Sequence, residues 1–225
     1  MKILAVDTAT KSCSVAIIDD GTLSAELTTR DDQTHSKHLM ELIHKVLGIS
    51  GFSTGEIDGL AVTIGPGSFT GLRIGISTIK GLAYALDKPV VGISSLDVLA
   101  WQCADRSYLI CPLLDARKGE VYSATYRFKN DTLSQKSPEK ATSPEAAVQE
   151  IKEPCVFIGN GARLYRRNIS TVLGELAHFA PKSQNIIRAS SVAFLSMENF
   201  ETRKTVEVAG LVPHYIRKSD AELNF

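Results

Sequence analysis

The chain has 225 residues, 44% of them hydrophobic and 22% charged, and its 25 basic and 25 acidic side chains cancel to a formal net charge of zero. That suits one large domain or two small ones with an ordinary packed core. It excludes the basic footprint of a stand-alone nucleic-acid binder, and no apolar run is long enough to span a bilayer. The opening residues read directly as a strand, with no signal peptide. Cys13, Cys103, Cys111 and Cys155 form no C-x-x-C pair and read as reduced, mostly buried thiols of a cytoplasmic protein.

In chain order, residues 2–6 are a short apolar strand ending at Asp7-Thr8-Ala9-Thr10. Residues 13–18 and 22–28 follow as strands joined at Asp19-Asp20-Gly21, where Asp-Gly is the hairpin signal. A helix starts near Thr34 or Ser36 and runs to about Leu47, with Leu39, Leu42, Ile43, Val46 and Leu47 as its apolar stripe. Gly48 and Gly51 are expected to end it. Residues 60–64 are a buried strand. Gly65-Pro66-Gly67 breaks that strand, Ser68 caps the next helix, and residues 69–86 carry Leu72, Ile76, Ile79, Ala83 and Leu86 at helical spacing. A strand over 90–93 and a helix from Ser94 or Ser95 to about Cys103 complete the first half.

The stretch GPGSFTGLRIG, residues 65–75, stands out. A glycine inside a helix costs about 1 kcal/mol relative to alanine, so Gly71 and Gly75, with Thr78 on the same face, require another backbone close by. That backbone comes either from within the fold or from a helix of another chain. The amides at this helix start have the look of an anion cradle, but no Gly-Lys-Ser/Thr follows as in a Walker loop.

The second half opens in the same way. Residues 108–114 are a strand ending at Asp115, 121–128 are the next strand, and Asn130-Asp131 is a turn. The strings 20–24 and 130–134 are alike and suggest an internal repeat. Residues 134–144 read as a polar loop. Ser143-Pro144-Glu145 opens a helix to about Lys152, 155–158 are a strand into Gly159-Asn160-Gly161, and a short helix carries Leu164 and Tyr165. Residues 189–201 are helical and 212–217 extended. The order implies two related α/β halves with mixed sheets flanked by helices, divided as 1–105 and 106–225, with the tail placed to pack back on the first lobe.

Two hairpins that each begin at an aspartate, Asp7 and Asp115, have the form of loops that grip phosphates and a hydrated metal. Ala9 and Lys11 stand where close backbone approach favours glycine, and satisfying turn amides is the alternative use of both aspartates. His35 and His38 are three apart, with Glu41 nearby and His44 turned away. This is neither H-E-x-x-H nor H-x-x-x-H, and no metal site is expected. Ser68 lacks a nucleophile elbow and Cys111 has no base beside it. Arg163, Arg166 and Arg167 form a small basic patch, either a solvated helix face or a nucleic-acid contact.

The stretches ILAVDTATKSCSVAI, HSKHLMELI, GPGSFTGLRIG and LLDARKGEVY, the GNG at 159–161 and the tail at 213–217 resemble the TsaB (YeaZ) family of tRNA threonylcarbamoyladenosine biosynthesis proteins over nearly the whole chain. The resemblance implies an actin-like, sugar-kinase-like (ASKHA) fold of two related lobes. It also implies a non-catalytic partner of TsaD, acting with the ATPase TsaE to place threonylcarbamoyl on the adenosine beside the anticodon of tRNAs reading codons that begin with A. ATP or ADP and a metal ion then belong to the partner complex, with none on this chain alone, and tRNA is met through the complex. A docking surface to TsaD or to a second copy is expected on the two long helices at His38, Leu39, Leu42, Ile43, Val46, Gly71, Gly75, Thr78 and Leu82. On that view Gly75→Arg or Leu42→Asp breaks assembly and leaves the monomer folded. Asp7, Thr8, Gly67, Ser68 and Asp115 mark a nucleotide or phosphate region. The competing reading is a small-molecule kinase or ATPase acting alone, and a metallopeptidase stands behind that.

Overall fold

A computed structural model describes residues 1–30 and 35–217, apart from the side chains of 35–37. They form two compact units, residues 1–98 with 187–214, and 99–186 with the segment that begins at Tyr215.

The first unit is a five-stranded sheet in the order β3-β2-β1-β4-β5. It comprises β1 (Lys2–Asp7), β2 (Ser12–Asp19), β3 (Thr22–Arg30), β4 (Gly59–Gly65) and β5 (Val90–Ser94). β1, β2 and β3 are antiparallel neighbours; β4 runs parallel to β1 and β5 parallel to β4. Asp20 and Gly21 both take positive φ at the β2–β3 turn, as a two-residue hairpin with the strands' twist requires. β1 is almost wholly buried because both faces are covered. On one face Leu4 and Val6 join Val15, Ile17, Leu60 and Val62 under helices α1 (His35–Ser50) and α2 (Phe69–Leu86). Side chains alternate along a strand, so Ile3, Ala5 and Asp7 point to the other face, where α7 (Ala189–Glu201) packs on β1, β2, β4 and β5. Each such Leu, Ile or Val contributes roughly 1.5–3 kcal/mol by leaving water.

The second unit repeats the topology. β6 (Leu109–Arg117), β7 (Glu120–Ser123), β10 (Lys140–Thr142), β11 (Cys155–Ile158) and β12 (Ala177–Phe179) are ordered β10-β7-β6-β11-β12, with β11 parallel to both β6 and β12. β8 (Tyr126–Lys129) and β9 (Thr132–Lys136) form a hairpin that joins β6 at the single pair Ile110↔Tyr126. Helices α3 (Ser95–Trp101), α4 (Pro144–Val148), α5 (Asn160–Leu164) and α6 (Arg166–Leu173) complete the set. All four cysteines are free and buried.

Several expectations differ from this arrangement. The first unit ends at Val98 rather than at 105, and the part that packs back on it is the whole of 187–214 rather than a tail alone, which follows from the apolar face that α7 lays on that sheet. The strand expected over 121–128 is two strands, because β7 pairs with β6 and β10 while β8 turns away to β9. The polar loop at 134–144 holds most of β9 and all of β10; β9 is exposed along its length, so no apolar alternation marks it. The first helix runs through Gly48 to Ser50, and the helix opened by Pro144 stops at Val148.

Candidate functional site

The β1–β2 hairpin and the start of α2 lock together. The Ser68 amide donates to the Ala9 carbonyl at 2.7 Å, and the Thr8 hydroxyl donates to the Gly71 carbonyl at 2.7 Å. Ser68 caps α2, its Oγ accepting from the Gly71 amide at 3.3 Å. A Cβ added at Gly67 would collide with the Ala9 carbonyl, at Gly71 with the Thr8 carbonyl, and at Gly75 with the Thr8 hydroxyl. The close approach that these glycines require is therefore made by Thr8 and Ala9 of the same chain.

Asp7 sits beneath this junction with no solvent exposure. Its Oδ1 accepts from the Thr63 hydroxyl at 2.7 Å and from the Ala9 amide at 3.1 Å, while Oδ2 has no partner among the described residues. Burial pushes the carboxyl up to about 7, against the opposing pull of the Thr63 and Ala9 hydrogen bonds. A carboxyl held this way is a neutral clamp on a turn as readily as it is an anion.

Asp115 occupies the matching place in the second unit. Its Oδ1 accepts from the Arg117 amide at 2.9 Å, two residues on, as Asp7 does from Ala9. Its own amide donates to Asn160 Oδ1 at 2.9 Å. Gly161 lies so close to β6 that a Cβ there would come within 2.8 Å of the Leu113 carbonyl. Both units thus use the loop after the fourth core strand to brace the first hairpin, and both aspartates satisfy turn amides.

The expected docking residues separate into two groups. Leu39, Leu42, Ile43 and Val46 belong to the core with Ile76 and Ile79, and Gly71 and Gly75 are buried against Thr8. The expectation that Gly75→Arg or Leu42→Asp leaves the monomer folded is corrected accordingly: the first drives a side chain into Thr8 and the second puts a charge in the core. His38, Thr78 and Leu82 are half-buried at the helix edges. His38 Nδ1 lies 3.8 Å from Glu41; the His35 side chain is outside the described residues.

Sequence reasoning passed over the face turned outward. On α2, Thr70, Ser77, Gly81 and Ala85 are exposed and Ile74 and Thr78 half-buried. They share one side of the helix at 100° per residue and carry no charge. On α1, Met40, His44 and Gly48 form an exposed row at i, i+4 and i+8. Gly48 and Gly81 face open space: a Cβ at either would meet nothing within 4 Å. The available signal was a third helix-interior glycine in α2 that no contact within the chain explains.

Among the described residues no three His, Cys, Asp or Glu side chains gather as metal ligands, and no helix is long and apolar enough to cross a membrane. Burial pushes the Cys13 and Cys111 thiols up to about 12, which leaves neither poised as a nucleophile.

Residues 24–225 match the family described as TsaD, tRNA N6-adenosine threonylcarbamoyltransferase. The chain is 35% identical to the tRNA threonylcarbamoyladenosine biosynthesis protein TsaB of Bacillus subtilis (strain 168), over 99% of this chain and 96% of that one. Among solved structures it is similar to YeaZ from Pseudomonas aeruginosa, with a TM-score of 0.79 and 26% identity over 95% of this chain and 99% of that one. The activator of the 2-hydroxyisocaproyl-CoA dehydratase from Clostridium difficile shares the fold alone, with a TM-score of 0.54 and 12% identity over 92% and 98% of the two chains. The α/β fold is that of the actin-like, sugar-kinase-like class.

Proposed function

The chain belongs to the TsaB family of tRNA threonylcarbamoyladenosine biosynthesis proteins, and from that premise we propose that it serves the pathway as a non-catalytic subunit docked on TsaD. One observation carries the reading: the open, uncharged face of α2 around Gly81 and the exposed row of Met40 and Gly48 on α1, while the hairpin that would handle a nucleotide is closed by the chain itself. A glycine in a helix interior with nothing against it is a net cost to the isolated chain. It becomes an advantage when a second helix packs there, because small residues let two backbones approach closely. An interface of standard size buries about 800 Å² per partner, an area that two adjacent helix faces can supply.

In this reading TsaD carries the threonylcarbamoyl transfer to the adenosine beside the anticodon, TsaE supplies ATP hydrolysis, and ATP or ADP and the metal ion are held by the partner complex. The same face serves a second copy of this chain when TsaD is absent. Fold likeness to nucleotide-handling proteins does not confer their chemistry. Asp7 has no exposed oxygen, and the Thr8 hydroxyl, the Ala9 carbonyl and the Ser68 amide are already engaged within the chain.

Co-elution with TsaD on size exclusion tests the reading. Gly81→Arg and Thr78→Arg are expected to abolish it without lowering the thermal melt; a Gly81→Arg chain that still co-elutes overturns the proposed face. Calorimetry of the isolated chain with ATP and magnesium is expected to give no binding heat. Turnover by the isolated chain that disappears in Asp7→Asn overturns the non-catalytic assignment.

A further inference from the structure

We infer that the surface of α5 and α6 is an RNA-phosphate contact made by Arg163, Arg166 and Arg167. This rests on the tRNA-pathway reading above and adds to it a surface on this chain that meets the RNA directly.

The three arginines fall within five residues and all are exposed. Three other arginines of the protein are held by carboxylates. Arg127 lies 2.6 Å from Glu153, Arg188 2.8 Å from Glu26 and Arg217 2.9 Å from Glu120. Among the described residues, Arg163, Arg166 and Arg167 make no ion pair. The Arg166 guanidinium lies flat over the Phe179 ring, 4.2 Å from its centroid. Stacking of this kind fixes the group while leaving its in-plane N–H donors for an oxyanion. Arg167 borders a shallow recess with Glu145, Asn168, Thr171 and Val172. The Glu145 carboxylate of that recess accepts from Asn168 Nδ2 at 2.5 Å and keeps its charge, which Arg167 offsets in part.

The chemistry favours phosphate. The cluster is all arginine, with no lysine in it, and the planar guanidinium matches the phosphate fork where an ammonium acts as a point charge. A patch of three arginines with no ion pair among the described residues, on a chain of zero net charge, also fits a subunit whose few backbone contacts are weak alone and add to those of a larger complex.

The test is a titration of labelled tRNA with the complex of this chain and TsaD, repeated at several salt concentrations. Each phosphate neutralised contributes about 0.7–0.9 to the slope of log K against log salt. Arg163→Glu/Arg167→Glu is expected to weaken binding by about tenfold or more at 50 mM salt and to flatten that slope by about 1.4–1.8. Arg163→Gln/Arg167→Gln is expected to flatten it alike without reversed charge, with an unchanged melt and unchanged co-elution with TsaD. Unchanged affinity and slope in both variants overturn the inference. So does a loss confined to anionic vesicles or an acidic polypeptide while tRNA binding persists. If the wild-type chain does not assemble with TsaD, the docking proposal fails separately, and the same titration on the isolated chain decides this one.

Discussion

The Thr8 hydroxyl and the Gly71 carbonyl are joined at 2.7 Å, and the Thr8 carbonyl in turn fills the space where a side chain at residue 71 would stand. This pair seats α2 on the first hairpin, and it separates the glycines of α2 into two kinds. Gly71→Ala forces a methyl group into a backbone oxygen and is expected to lower stability by about 1–3 kcal/mol. Gly81→Ala meets open space and is expected to raise the stability of the isolated chain by up to about 1 kcal/mol. Urea denaturation of the two variants measures both signs. The same Gly81→Ala chain is expected to bind TsaD more weakly, so its stability and its assembly move in opposite directions.

Asp7 gives the first unit a pH dependence. Its carboxyl is pushed up to about 7 in the fold, from an ordinary value of 3.8. Between those values the unfolded chain has lost the proton and the native chain keeps it, so stability falls as pH rises through that window and levels off above it. At about 1.4 kcal/mol per pH unit, the whole effect is up to about 4 kcal/mol. Asp7→Asn offers the same acceptor to Thr63 and Ala9 without a charge. It is expected to flatten the decline between pH 4 and pH 7 and to be more stable than wild type at pH 8, by urea denaturation at matched ionic strength.

Glu26 holds the start of α7. Its carboxylate, 6% exposed, accepts from the Ser190 amide at 2.9 Å, the Ser190 hydroxyl at 2.8 Å and Arg188 Nε at 2.9 Å. Glu26→Ala leaves a largely buried amide without its acceptor and is expected to cost about 2–3 kcal/mol. Arg188 is half exposed, and Arg188→Ala is expected to cost about 1 kcal/mol or less. A thermal-denaturation series in which Arg188→Ala is the worse of the two contradicts this assignment.

The four cysteines are all buried, and a thiol reacts as its thiolate. A thiol-reactive dye is expected to label none of them rapidly in the native protein at pH 7.5 and all four after denaturation. Fast native labelling of Cys13 would show that the hairpin above it opens.

Much of the fold was legible from the chain alone. The 69–86 helix, the 155–158 strand and the 189–201 helix agree with the structure to the residue; the first has an apolar stripe and Ser68 as its cap, and the second is an unbroken apolar run that stops at Gly159. The two related halves reappear as two sheets of the same strand order, but the 20–24 and 130–134 strings do not mark equivalent turns: the first joins β2 to β3 within that order and the second joins β8 to β9 off it. What escaped were elements whose residues carry no pattern of their own. β9 is polar and exposed, β12 is three residues long, and both exist because a neighbouring strand offers its edge.

The candidate site divides along the same line. The residues themselves announced that the 65–75 stretch needs a close backbone, since glycine inside a helix is costly without one. They also announced that α1 and α2 each carry an apolar stripe. Which backbone approaches, and which side of each helix stays in water, was left to tertiary packing. Leu39, Leu42, Ile43 and Val46 were spent on the core, Gly71 and Gly75 on Thr8, and Gly48 and Gly81 were left facing outward. Periodicity reports that a helix has two sides; only the sheet beneath it selects the one that is covered, because burial is a property of what lies opposite a residue and not of the residue.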